Sequence, residues 1–100
     1  VESNHFAISG VVIEFETLRY TPGGVPYRWL TLEHRSRQVE ADIPREAFCR
    51  IRVDIRGESL QAQAAQLQLG SRITVTGFLA RSGYKDESSS RLALHAQIIE

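Results

Sequence analysis

The sequence predicts an all-β domain in which five strands close into a barrel, with a short helical segment between the third and fourth. Three observations lead there. Five segments carry apolar residues at every second position, the period of a half-buried strand. Two of them, the first and the fourth, hold an internal glycine, Gly10 and Gly77, where a strand bends or bulges. One stretch, Glu58–Leu69, changes to helical spacing and is bracketed by Gly57 and Gly70.

The first strand covers Phe6–Ile13. Phe6, Ile8 and Val12 fall on one face. Past Gly10, Val11, Ile13 and Phe15 make the other face apolar too. Two readings stand for that second face: a partner subunit covers it, or a bent strand is buried on both sides. The run Thr21-Pro22-Gly23-Gly24-Val25-Pro26 is turn chemistry, with proline presetting φ and glycine permitting positive φ.

The second strand is Tyr27–Arg37. Side chains on a strand alternate between faces. Leu30 and Leu32 share one, and His34 falls with them as a core or rim histidine holding a hydrogen bond. Tyr27, Trp29, Thr31, Glu33 and Arg35 share the other. Polar composition and Pro44 predict a loop over Ser36–Glu46. The third strand is Ala47–Gly57. Cys49, Ile51, Val53 and Ile55 face the core, so Cys49 is expected as an inert buried thiol. Phe48, Arg50, Arg52, Asp54 and Arg56 face outward.

In Glu58–Leu69, the residues Leu60, Ala64, Ala65 and Leu67 mark a helix too short to stand without packing. The fourth strand is Ser71–Arg81, with Ile73, Val75 and Leu79 alternating with Arg72, Thr74, Thr76 and Phe78. Ser82–Ser90 is a polar loop with one aromatic, Tyr84. The fifth strand is Arg91–Glu100, with Leu92, Leu94, Ala96 and Ile98 on one face and His95 on the other. This order fits the five-stranded Greek-key barrel of the OB-fold, which binds through strands two and three and two flanking loops. An SH3-like barrel competes, but the helix between strands three and four favours the OB-fold.

At 100 residues the chain is expected to form one domain, 1–100, with its own core. Its 42% hydrophobic and 24% charged residues are ordinary for a globular protein. A single cysteine excludes an intrachain disulfide and fits a reducing cytoplasm. No apolar run approaches the roughly 20 residues of a membrane helix, and no signal peptide is recognisable. Twelve basic and 12 acidic residues cancel, which argues against indiscriminate coating of phosphate backbones. All the basic residues except Lys85 are arginines, which fork onto phosphate and stack on bases.

Strand two offers Tyr27, Trp29 and Arg35, and strand three offers Phe48, Arg50 and Arg52. Paired antiparallel, they make one surface of aromatics interleaved with arginines. Rings stack on bases while cations track phosphates, so single-stranded nucleic acid is the expected ligand. The loop between strands four and five adds Arg81, Tyr84, Lys85 and Arg91, as an arm that closes over the strand or as a solvated tip. Three scattered histidines and one cysteine show no metal-ligand spacing. The Pro-Gly-Gly turn lacks the ending of a phosphate loop. No catalytic constellation and no cofactor site are expected, so the chain reads as a binding protein.

Several segments carry a resemblance. They are Leu32-Glu33-His34-Arg35-Ser36, Ala47-Phe48-Cys49, the block Gly70–Phe78, and Leu94-His95-Ala96, with Ile8-Ser9-Gly10 and Gly24-Val25-Pro26 in support. Together they resemble the bacterial primosomal replication protein N family, also called primosome protein B, over nearly the whole chain. The resemblance implies a homodimer of OB-folds that binds single-stranded DNA in the bacterial cytoplasm. It further implies partnership with the primosomal helicase and a loader protein at stalled forks, and no enzymatic activity. By resemblance, Arg35, Arg19, Phe48, Lys85 and Arg91 match the family's DNA-contacting positions. Enteric members carry tryptophan where this chain has Phe48, and an aromatic where it has Ile43. Their last loop is richer in lysine and lacks Asp86-Glu87. These departures imply weaker DNA binding. The zero net charge leaves open an alternative role, an OB-fold whose aromatic face mainly docks a helicase.

Overall fold

A computed structural model describes residues 2–81 and 91–100. Its elements are β1 (Phe6–Phe15), β2 (Arg19–Tyr20), β3 (Pro26–Glu40), β4 (Ile43–Arg56), α1 (Glu58–Ala64), β5 (Arg72–Arg81) and β6 (Leu92–Ile99). The strands run in the order β1-β5-β6-β4-β3-β2, and a further β1–β3 pairing closes five of them into a barrel. The two-residue β2 is an addition on the outer edge of β3. The pairings are antiparallel except β4–β6, which is parallel and needs the α1 crossover between its strands. The expected five-stranded OB-type barrel is the observed one.

Closure depends on β1 serving two neighbours. Phe6–Val11 pair with β5, and Val11–Phe15 pair with β3. Gly10 sits at the hand-over, where any Cβ would strike the Glu33 carbonyl oxygen. A bulge between Val12 and Glu14 then shifts the alternation. Phe15 therefore packs against the core rather than on the outer face with Val11 and Ile13. A second bulge lies between β5 and β6, where Thr76 pairs with Ile98 but Gly77 with Ala96. Gln97 is the extra residue. Ile99 becomes the buried residue, and Ile98 is exposed rather than continuing the Leu94 face. Leu92, at the end of β6, is exposed as well.

The core holds Val12, Leu30, Leu32, Val53, Ile55, Ile73, Val75, Leu94 and Ile99. These are the inward positions of the alternating strands, and burying each large aliphatic side chain is worth roughly 1.5–3 kcal/mol. One turn-rich segment closes an end of the barrel. There Ala64 of α1 is buried, and Leu60 and Leu67 pack beside it. The helix is seven residues, shorter than the predicted Glu58–Leu69. Gly57 precedes it at φ 96, and its N–H donates to the Pro26 carbonyl.

Residues 36–46 are not a loop. β3 and β4 stay paired from Tyr27–Arg56 out to Glu40–Ile43. The reversal is made by Ala41 and Asp42 alone, at φ 51 and 64. Two residues at positive φ fit a type I′ hairpin turn. Ala-Asp lacks the glycine that usually announces such a turn, and Pro44 interrupts the strand pattern. Among the described residues the outer part of this ribbon pairs with no third strand, because β1 reaches only Leu30–Glu33 of β3. For the same reason Cys49 is exposed, not buried. It lies on the inward side of β4 but beyond Ile51, where the barrel supplies no opposite wall.

Candidate nucleic-acid interface

The β3–β4 register sets the outward face residue by residue. Tyr27 lies opposite Arg56, Trp29 opposite Asp54, Thr31 opposite Arg52, Glu33 opposite Arg50 and Arg35 opposite Phe48. Residues paired across strands share a face. Tyr27, Trp29, Arg35, Phe48, Arg50 and Arg52 are therefore brought together as expected. β2 adds Arg19, paired with Tyr27, at one end of the same face.

Guanidinium groups lie over the rings. Arg35 Cζ is 4.3 Å from the Phe48 centroid, Arg52 Cζ is 4.7 Å from Trp29, and Arg56 Cζ is 5.5 Å from Tyr27. Arg50 reaches Phe48 from its other neighbour at 5.9 Å. Each such contact is worth roughly 0.5–1 kcal/mol on an exposed surface. Phe48 is 47% exposed, whereas Tyr27 and Trp29 are half-buried. Phe48 is thus the ring most open to an incoming base.

Three carboxylates are threaded among the cations. Arg35 Nη1 donates to Glu46 Oε1 at 2.9 Å, Arg50 Nε to Glu33 Oε2 at 3.0 Å, and Arg52 Nε to Asp54 Oδ1 at 2.8 Å. The first two pairs are exposed and worth at most about 1 kcal/mol. They orient the guanidiniums without committing them, so phosphate oxygens can replace the carboxylates. Asp54 differs, being the one buried acidic group among the described residues. His34 is the rim histidine expected. Its Nδ1 donates to the Ser9 carbonyl at 2.6 Å, which leaves Nε2 to accept from the Ser36 hydroxyl at 2.7 Å.

Arg81 and Arg91 stand exposed at the two ends of the β5–β6 connection. Register ties that connection to the face, since Ala80 pairs with Ala93, and Ala93 with Arg52. Tyr84 and Lys85 lie outside the described residues. Sequence reasoning missed one outward pair, Phe78 and His95. The signal was present as an aromatic on the polar face of each strand, but only the register shows that they meet. Among the described residues no cluster of histidine, cysteine and acidic side chains could hold a metal ion. None of the helices there is long and apolar enough to cross a membrane.

Comparison with known proteins agrees with this fold. A model described as another single-strand binding protein family matches residues 4–98. Replication restart protein PriB of Serratia proteamaculans (strain 568) is 38% identical over 98 residues, covering 98% of this chain and 92% of the relative. PriB of Citrobacter koseri is 39% identical over 98 residues, covering 98% and 93%. Among solved structures, PriB from Ralstonia solanacearum matches with a TM-score of 0.84 at 25% identity, covering 99% of this chain and 97% of that one. The single-stranded DNA-binding protein of Thermus aquaticus matches at 0.77 and 27%, with 98% of this chain laid on 49% of that one. On fold, register and full-length similarity, the chain belongs to the single-strand binding protein family, in the branch of the PriB replication restart proteins.

Proposed function

We propose that this chain binds single-stranded DNA along the β3–β4 face, as a non-enzymatic component of replication restart. The observation that carries the reading is the Arg35–Phe48 pair, an exposed ring with a guanidinium 4.3 Å from its centroid. A base stacks on Phe48 or on the outer side of the guanidinium. The neighbouring phosphates are taken by Arg50, Arg52 and Arg19, and by Arg81 and Arg91 at the β5–β6 connection. The reading extends to Tyr27, Trp29, Tyr84 and Lys85 as further contacts. It also includes assembly as a homodimer in the bacterial cytoplasm, with a primosomal helicase and a loader protein as partners.

Fluorescence anisotropy with a labelled oligothymidylate tests the site. Phe48→Ala removes a stacking surface worth roughly 1–3 kcal/mol, and Arg35→Ala removes its cation. Both are expected to weaken binding; if neither does, the face is wrongly assigned. A second reading has one observation in its favour. Arg35, Arg50 and Arg52 already hold carboxylates, as they would in a face that docks a protein. Salt separates the two, since log K falls by about 0.7 per decade of salt for each phosphate neutralised on a single strand. A flat dependence favours docking.

A further inference from the structure

The outward face does not stop at β4. Register aligns one row across four strands, with Trp29 opposite Asp54, Asp54 beside His95, and His95 opposite Phe78. Three inter-strand spacings carry the row about 14 Å from Trp29 to Phe78. At its far end the Phe78 and His95 rings are stacked, 5.0 Å between centroids and 4° from parallel. Such an offset stack fixes both rings. Phe78 still keeps 36% of its surface in solvent.

That remaining surface forms the apolar wall of a cleft of about 470 Å³, lined otherwise by Glu2, Ser3, Asn4, His5 and Gln97. One wall of the cleft is fixed by a pair of hydrogen bonds. Asn4 Nδ2 donates to the Leu79 carbonyl at 2.8 Å, and the Leu79 N–H donates to Asn4 Oδ1 at 2.9 Å. This side chain pins the segment before β1 to β5 as a strand neighbour would. Gln97 is the extra residue of the β5–β6 bulge, and bulges re-aim side chains. The chain therefore spends a register slip at the position that lines the cleft.

We propose that this cleft is a second seat for a base of the same DNA strand, stacked on Phe78. The inference rests on the β3–β4 reading and lengthens it around the barrel. A nucleobase offers what the cleft matches, a flat π-face for the ring and a hydrogen-bonding edge for Ser3, His5 and Gln97. Among the described residues the cleft is lined by Glu2 and by no arginine or lysine, so phosphate is disfavoured there. The strand enters base first, with its backbone turned outward. Between the two seats Asp54 is held by Arg52 at 2.8 Å and lies 3.8 Å from His95 Nε2, too far for a hydrogen bond.

The test is a length series of oligothymidylates of about 4 to 16 nucleotides, the span of site sizes for one OB-fold. Phe78→Leu keeps apolar volume and removes the ring. It is expected to match the parent protein on the shortest strands and to lose roughly 5- to 100-fold on the longest, whereas Phe48→Ala loses at every length. Equal affinity of Phe78→Leu and the parent at all lengths, with Phe48→Ala weakened, overturns the second seat and leaves the β3–β4 face standing. No binding by the parent protein at low salt overturns both. If Phe78→Leu does not fold by circular dichroism, photocrosslinking of the parent protein to 5-iododeoxyuridine strands decides. A crosslinked peptide containing Phe78 supports the seat, and crosslinks confined to β3 and β4 overturn it.

Discussion

Glu33 sets the charge that the face can offer. Its side chain is 24% exposed, while that of its partner Arg50 is 62% exposed. The acid is the anchored member and the arginine is the adaptable one. Glu33→Gln keeps the shape and removes the charge. It is expected to raise affinity for single-stranded DNA about two- to fivefold at low salt, in line with an exposed pair worth up to about 1 kcal/mol. Anisotropy at two salt concentrations checks this, and the gain should shrink as salt screens Arg50. Period two alone placed Arg35, Arg50 and Phe48 on one surface. Which guanidinium lies over which ring could not be read, because that depends on rotamers and cross-strand register. Cys49 was misread for a related reason. Alternation gives the side of a strand, not whether anything stands opposite. Native protein is therefore expected to react with a thiol reagent at nearly the rate of unfolded protein.

The β3–β4 ribbon is the element that the sequence concealed most fully. Its turn places a non-glycine residue, Ala41, at φ 51. An L-residue there costs roughly 1–2 kcal/mol, which asparagine or glycine avoids. Ala41→Asn or Ala41→Gly is thus expected to stabilise the ribbon by about 1 kcal/mol, measured as slower amide exchange at residues 38–46. The barrel elements were legible because each carries alternating apolar residues over most of its length. The two bulges were not, since an inserted residue leaves composition unchanged and only exchanges faces. Phe15 and Ile98 changed sides on that account. The internal glycines gave a partial warning, because Gly10 and Gly77 sit where backbones cross closely.

At the scale of the whole molecule, the barrel is closed by backbone approaches that tolerate no side chain. A Cβ at Gly77 would strike the His95 carbonyl oxygen. Gly77→Ala is expected to destabilise the fold by roughly 1–3 kcal/mol or more, read from the midpoint of urea unfolding. Fold class followed from strand order and the single helix, while closure itself, a β1 shared by β3 and β5, needed tertiary contacts to see. That sharing also bears on synthesis. Phe6 pairs with Gly77, roughly 70 residues later in the chain. The β3–β4 ribbon pairs locally, so it can form as soon as residue 56 leaves the ribosome. The aromatic and arginine face would then exist on the nascent chain before β5 and β6 have been made, with half of β1 still waiting for its neighbour.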